Sequence, residues 1–467
     1  MVANQGQGAA AIGLARTKRS PLLIFTAAPA AGHTGPPLHL ARVMVNKGYD
    51  VVFMSSPEYK AGVEKIGAEW YECSEFWMPG TQEVREQFPL GLERTIYDME
   101  NVFLAQIPSR YNSLKALLEM VHERDPDRQV IILTETASMA TSPFFFEAPL
   151  PKGYSKMPRT IGLNVVPILV TSCDTAPFGM ALPPDSTESG RERNKTLYHL
   201  SGMGPLKRLD DLFKNYLKEL RCTKVPEQNF FDAWFTTYDT LFQMCSPSMD
   251  YARSDLPLVI RYAGALPPRP IDPNYVFPSW WSEVKKHAAL PASSSDKKKI
   301  VVVSQGTVNT NLMELVVPTI KALAKREDII LVAILGTKGV SLPAGTEVPS
   351  NTRIVDYLPY DPLLQMSDLF VMNGAYGAYV HACINGVPLI TAGVTEDKIE
   401  TSARIEYLGL GINLRTQTPT SDAIAEAAGR ILSNPNYKQR ALRVQQDNKD
   451  LDVIHMVEKQ IKEYTEE

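Results

Sequence analysis

Leu369-Phe370-Val371-Met372-Asn373-Gly374-Ala375-Tyr376-Gly377-Ala378-Tyr379-Val380-His381-Ala382-Cys383-Ile384-Asn385-Gly386-Val387-Pro388-Leu389-Ile390-Thr391-Ala392 is the stretch that decides the fold. An apolar strand runs straight into Asn373-Gly374. A helix follows, and Gly386-Val387-Pro388 turns the chain into a second strand, Leu389 to Ala392, which ends in the polar loop Thr395-Glu396-Asp397-Lys398. Strand, helix and strand in this order make a parallel unit. In open α/β sheets ligands bind at the carboxyl ends of the strands. The first turn offers bare amides at a helix N-terminus, which suits a phosphate. The second offers an acid and a base, which suits a polyhydroxyl group. Side by side they point to a nucleotide-sugar site.

The same alternation extends both ways. Upstream, Ile300 to Val303 reads as a strand entering Ser304-Gln305-Gly306-Thr307, with a helix over 312–325, strands at 329–335 and 352–355, and then Tyr357-Leu358-Pro359-Tyr360. Downstream come a last strand near Gly411 and helices over 422–432, 435–449 and 453–464. Residues 256–299 are rich in proline and close on Ser293-Ser294-Ser295-Asp296-Lys297-Lys298-Lys299, a composition shift that marks a domain boundary. The expected division is a lead over 1–20, a first domain over 21–255, a linker over 256–299, a second domain over 300–450 and a closing helix over 451–467 that crosses back to the first domain.

The first half opens in the same way. Leu22 to Thr26 is a strand, and Ala27 to Pro37 is a run of small residues and prolines in which His33 is the conspicuous side chain. A helix is expected from Leu38 to Gly48 and a strand over 50–54, which leaves His33 in a loop at the carboxyl end of the first strand. A long helical region follows over 92–124. The strand Gln129 to Leu133 then ends at Thr134-Glu135-Thr136. Exposed aromatics at Phe76 and Trp77, the cluster Phe144-Phe145-Phe146, and the loop containing Asp174 and Phe178 are candidates for the wall of an apolar pocket. Residues 190–250 read as helices.

These segments resemble family 1 glycosyltransferases, the UDP-sugar-dependent enzymes of the GT-B fold, in which two Rossmann-like domains with parallel sheets face each other across a cleft. The family's N-terminal Gly-His-x-x-Pro matches Gly32, His33 and Pro36. Its Ser-x-Gly-Thr matches Ser304, Gly306 and Thr307. Its aromatic-x-Pro-Gln matches Tyr357, Leu358 and Pro359, with Tyr360 in place of the Gln. Asn373, Gly374, Ala375, Tyr376, Gly377 and the Gly-Val-Pro turn stand where its donor segment lies, with Asn373 in place of the family's His, and Asp397 and Lys398 stand where its Asp-Gln pair lies, with Lys398 in place of the Gln. The Asn-Gly-x-Tyr-Gly and Glu-Asp-Lys spellings resemble a microbial, fungal-type branch.

The resemblance implies that His33 is the general base, with Glu135 in place of the family's orienting Asp. Tyr357 would stack on uracil, and Asn373 with the amides through Gly377 would hold the diphosphate beside Thr307. His381 falls where many relatives place an acid for the ribose, and Asp397 and Lys398 would meet the sugar. The implied reaction inverts an α-linked UDP-sugar, glucose being the family's commonest, onto a hydroxyl of a lipophilic, aromatic small molecule. Phe76, Trp77, Phe144, Phe145, Asp174 and Phe178 would face that acceptor. No cofactor and no metal are implied. Plainer readings stand beside these: a capping histidine, a helix-capping acid at Glu135, a turn residue at Asn373, a solvated pair at Asp397 and Lys398, a helix-face histidine at His381.

Composition removes other classes. A chain of 467 residues suggests about two to three domains. A net charge of −4 gives no electrostatic case for nucleic acid. Five scattered cysteines without Cys-x-x-Cys suit a reducing cytoplasm. No apolar run approaches a membrane span. Asp125-Pro126-Asp127 and Asp450-Leu451-Asp452 have the Asp-x-Asp form of metal-dependent transferases but sit at a proline turn and in a tail helix. A dinucleotide-dependent dehydrogenase lacks its G-x-G-x-x-G after the first strand. Two alternatives stay open: a silent relative that activates a partner enzyme, and a nucleotide-sugar epimerase on the same fold.

Overall fold

The computed structural model describes residues 20–74, 80–204, 206–306 and 311–467. Phe76, Trp77 and Thr307 therefore lie outside the described residues, as does nearly all of the lead over 1–20. Two all-parallel sheets form. The first has the order β3-β2-β1-β4-β5-β6-β7, from β1 (Leu22–Thr26), β2 (Val51–Ser55), β3 (Glu69–Glu72), β4 (Val130–Glu135), β5 (Arg159–Asn164), β6 (Thr240–Gln243) and β7 (Ile260–Tyr262). The second has the order β10-β9-β8-β11-β12-β13, from β8 (Lys299–Ser304), β9 (Ile329–Ile334), β10 (Thr352–Val355), β11 (Leu369–Met372), β12 (Leu389–Thr391) and β13 (Gly411–Asn413). The central strands are continuous apolar runs because helices cover both faces of each sheet; Leu23, Ile24 and Phe25 are all fully buried.

The strand order places the site. In each sheet the chain builds outward on one side, then returns to the middle and builds on the other. The reversal lies between β1 and β4 in the first sheet and between β8 and β11 in the second. Thr26 pairs in register with Thr134, and Met372 with Ser304. The loops leaving these neighbouring strands diverge and open a crevice at their carboxyl ends. His33 and Glu135 follow from the first reversal, Gly306 and Asn373 from the second.

Three local differences from the sequence reading have physical causes. The helix that begins the first domain is Ala31–Asn46, so His33 lies in its first turn and not in a loop. Pro36 and Pro37 sit inside it. Thr34 Oγ1 donates to the Ala28 carbonyl at 2.8 Å and anchors the entry; the two prolines fall in the second turn and leave the Gly32 and His33 carbonyls without their i+4 amides. The long helical region is interrupted: Leu92–Asp98 passes through a wide π-helical turn, Met99–Phe103, before Ile107–Arg124. Strands β6 and β7 occupy positions read as helix and linker, being too short to show a period of their own.

The chain closes on its beginning. The helix Val453–Glu466 puts Val453, Val457, Ile461 and Tyr464 into the core that holds Leu23, Phe25 and Phe53. The Tyr464 hydroxyl is 2.8 Å from the Thr240 hydroxyl. Among the described residues no helix is long and apolar enough to cross a membrane.

Candidate active site

His33 Nδ1 lies 2.9 Å from Glu135 Oε1. Glu135 is fully buried at the end of β4. Its carboxylate also accepts the Ala137 amide at 2.9 Å and the Ala28 amide at 3.1 Å, so it caps the turn after its own strand and the loop after β1 at once. With amides on both oxygens, the remaining contact is filled by Nδ1–H donating, which leaves Nε2 with its lone pair. The capping and orienting readings of Glu135 are therefore both realised in one side chain.

Burial alone would lower the His33 pKa, but the charge and hydrogen bond of Glu135, helped by Asp397, raise it above the usual 6.5. Arg110 pulls the other way. It is fully buried and donates through Nη1 to the Ala137 and Ser138 carbonyls at 2.9 and 3.3 Å, supporting the turn that carries Glu135. The Phe103 ring lies 5.9 Å from the imidazole, with Trp234 behind it at 6.1 Å. Trp234 Nε1 donates to the Thr136 carbonyl at 2.7 Å. In the sequence Phe103 and Arg110 both lie within the helical region over 92–124, and nothing in their spacing sets them apart; the π turn Met99–Phe103 places Phe103 there.

Across the crevice, the helix Tyr376–Ile384 starts at the end of β11. Its first amides have no partner within the helix. Gly374 takes φ +84°, and a Cβ there would stand 2.6 Å from Ser402 Oγ and 3.1 Å from the Lys398 carbonyl. Asn373 donates through Nδ2 to the Gln305 carbonyl at 2.5 Å, tying the β11 turn to the β8 turn. Its amide is spent on the backbone, as a turn residue's would be. Gly306 has φ +78° beside it. Tyr360 donates to Ser304 Oγ at 3.0 Å. Tyr376 is buried, and Gln243 of the first sheet donates to its hydroxyl at 2.9 Å, so its ring locks the two domains together while its amide stays at the helix start. Tyr357 is 42% exposed, with Lys338 Nζ 5.9 Å from its ring centre, whereas Leu358 is buried in the core.

A cavity opens between the helices Ala31–Asn46 and Tyr376–Ile384, lined by Gly32, His39, Arg269, Asp361, Gly377 and His381 among others. His381 Nδ1 is 2.7 Å from Asp361 Oδ1, which also accepts from Asn385 Nδ2 at 2.9 Å. Burial and the charges of Arg269 and Arg42 push the His39 pKa down to about 4. Arg269, hidden from the sequence reading inside a proline-rich stretch, is thus drawn into the crevice.

In the loop after β12, Asp397 is the N-cap residue of the helix Lys398–Tyr407 but makes no capping bond. Among the described residues its carboxylate has no hydrogen-bond partner. Burial raises its pKa, while Lys398 and His33 oppose the shift. Lys398 is buried and donates to Thr395 Oγ1 at 2.9 Å and to the Glu396 carboxylate, so the ammonium is turned into its own loop.

Several expected acceptor residues stand elsewhere. Phe144 packs on Tyr111 at 4.6 Å, and with Phe145 it lines a cavity rimmed by Gln129, Val130 and Arg159, the amino ends of β4 and β5. That is the opposite end of the sheet from His33; Phe144 and Phe146 are buried, while Phe145 is exposed. Asp174 is buried and accepts from Ser254 Oγ at 2.7 Å and Arg191 Nε at 3.0 Å, a loop-holding role. Phe178 packs on Phe231 at 5.5 Å, close to the seam between the domains.

That seam is built from buried charge. Arg404 Nε donates to Asp250 at 2.7 Å and Nη1 to Glu400 at 3.0 Å, and the guanidinium covers the Tyr251 ring at 4.4 Å. Glu400 in turn accepts the amides of Gly179 and Ala181 at 2.9 and 3.1 Å. Burial would raise the Asp250 pKa, but Arg253 and Arg404 hold it below the usual carboxylate value.

Comparison with known proteins bears on the family and the fold. Residues 319–459 match the family model described as Erythromycin biosynthesis protein CIII-like, C-terminal domain. The chain is 38% identical over 445 residues to UDP-glucosyltransferase 1 of Beauveria bassiana (strain ARSEF 2860), across 94% of both chains. It is 31% identical over 450 residues to UDP-glucosyltransferase B1 of Starmerella bombicola, across 93% of this chain and 97% of the relative. Among solved structures, the glycotransferase of kitacinnamycin superposes with a TM-score of 0.68 at 18% identity, across 96% of this chain and 99% of the other, a likeness of fold.

Proposed function

Because the chain belongs to the family 1 UDP-sugar-dependent glycosyltransferases and so moves a sugar from a UDP-sugar to an acceptor, we propose that it is an inverting glucosyltransferase with His33 as its base. Nε2 takes the proton from an acceptor hydroxyl. The oxygen attacks the anomeric carbon from the face opposite the nucleotide, the bond from that carbon to the diphosphate oxygen breaks, and UDP leaves. An α-linked donor yields a β-glycoside. Glu135 fixes the ring and stabilises the imidazolium. The amides opening the helix Tyr376–Ile384 stabilise the leaving diphosphate in place of a metal, so turnover is expected to persist in excess chelator.

The observation that carries this reading is the 2.9 Å contact between His33 Nδ1 and Glu135, with Asp397 acting on the same imidazole from the other domain. The ring of Phe103 beside His33 supports a lipophilic acceptor. Glucose as the sugar is supported by the names of the fungal relatives.

The test is wild type against His33→Ala, with UDP-glucose and a panel of phenolic and polyketide acceptors, following UDP release and glycoside mass. Product from wild type that is lost in the variant supports the reading. A wild type that binds UDP but glycosylates nothing from any UDP-sugar overturns it and favours the partner-activating role.

A further inference from the structure

Arg85 ends a short helix, Thr81–Arg85, on the first-domain side of the cleft. Its guanidinium reaches the other side. Nε donates to both oxygens of Asp98, at 2.8 and 3.0 Å, and Nη2 donates to Glu396 Oε1 at 2.6 Å. The side chains of Arg85 and Asp98 are only 14% and 10% exposed. The second oxygen of Glu396 receives the Thr395 hydroxyl and the Lys398 ammonium. One cation therefore stands between a carboxylate of each domain, and the farther one belongs to the loop that carries Asp397.

Two further observations give this contact weight. Glu396 has φ +50°, the left-handed region that residues with side chains avoid, so the loop needs outside restraint to keep its shape. Burial and the charge of Glu396 raise the Asp98 pKa against the pull of Arg85. Without the guanidinium, two poorly solvated carboxylates would repel each other across the cleft.

We propose that Arg85 is a positioning residue for the donor sugar: by holding Glu396 from across the cleft it sets the Thr395–Lys398 loop and keeps Asp397 presented to the sugar hydroxyls. The inference rests on the transferase reading above. It separates the two halves of the donor. UDP alone does not reach this loop, so its affinity does not depend on Arg85, while that of the intact UDP-sugar does.

The experiment compares wild type, Arg85→Ala, Arg85→Lys, Glu396→Gln and the double variant Arg85→Ala/Glu396→Gln. It measures KM and kcat for UDP-glucose, calorimetric Kd for UDP and for UDP-glucose, and Tm as a check on folding. Arg85→Ala is expected to leave the Kd for UDP unchanged while kcat/KM for UDP-glucose falls about 10- to 100-fold, as expected for misplacement by about an ångström. Arg85→Lys recovers part of the loss, since it keeps charge but not the fork. The double variant is no worse than the poorer single one, because the two residues act as one contact. Unchanged kcat/KM, losses that simply add, or an equal loss of UDP affinity overturns the proposal. If Arg85→Ala does not fold, Arg85→Lys and Glu396→Gln carry the same comparison. If wild type makes no glycoside, the transferase reading fails by itself, and the difference between UDP and UDP-glucose binding still decides the role of Arg85.

Discussion

His33 and Glu135 are 102 positions apart in the chain, yet Nδ1 and Oε1 meet at 2.9 Å. The meeting follows from strand order: β1 and β4 are neighbours, and each residue leaves the carboxyl end of its strand. Because Glu135 also accepts the Ala28 and Ala137 amides, His33 is held by the same group that holds its loop.

A pH profile reads this contact directly. If His33 is the proposed base, its working form is the neutral imidazole, and since its pKa is raised above 6.5, kcat/KM should fall on the acid side with an apparent pKa above that value. Glu135→Gln removes the larger upward influence and leaves Asp397 alone against burial and Arg110. The acid limb should then move to lower pH while the plateau falls by about 10²- to 10⁴-fold, the usual worth of general-base catalysis. A plateau loss with an unmoved limb would show that Glu135 acts through its capping bonds alone.

Gly374 tests the donor turn. At φ +84°, with a Cβ placed 2.6 Å from Ser402 Oγ, Gly374→Ala combines left-handed strain of about 1–2 kcal/mol with a clash. Thermal melting should show a lower Tm, and UDP titration a weaker Kd by about tenfold or more, equivalent to about 1.4 kcal/mol.

Tyr357 is the exposed ring of the nucleotide end. If it stacks on uracil, Tyr357→Ala should weaken UDP binding by about 1–3 kcal/mol, the range for base stacking on an aromatic side chain. Tyr357→Trp should preserve it. Equal affinity for UDP in wild type and Tyr357→Ala would remove Tyr357 from the site.

The seam should be sensitive to truncation of its charges. Arg404→Ala leaves Asp250 and Glu400 buried without their shared cation, and the expected loss is about 3–5 kcal/mol of stability, seen in denaturant unfolding. The pH dependence has a definite sign. The folded-state pKa of Asp250 lies below its ordinary 3.8. Its stabilisation is therefore complete above that value and is lost as pH falls through the folded-state pKa.

What could be read in advance was the local grammar. Apolar runs ending in Asn373-Gly374 and in Ser304-Gln305-Gly306 reveal strands, turns and helix starts because those features are set by neighbours in the chain. The destination of a polar side chain is not local. Asn373 offers an amide to a phosphate on paper, but the adjacent β8 turn presents the Gln305 carbonyl to it first. Lys398 looks like a sugar ligand until Glu396, two residues away, turns it inward. Phe144 and Phe145 advertise apolarity without saying which end of the sheet they cover. Phe103 and Arg269 enter the crevice from segments whose composition speaks only of helix and linker. Each depends on pairing between distant segments, which spacing alone does not encode.

The helix Val453–Glu466 has a consequence for how the protein is made. Its apolar stripe completes the core around Leu23, Phe25 and Phe53, on strands β1 and β2. That face of the first sheet therefore stays uncovered until Val453–Glu466 has been synthesised. The second domain has its core complete in sequence before then and is free to close earlier. Vectorial folding usually completes the amino-terminal domain first; this packing reverses that order for the two cores, and truncation within Val453–Glu466 is expected to destabilise the first domain, which it packs against.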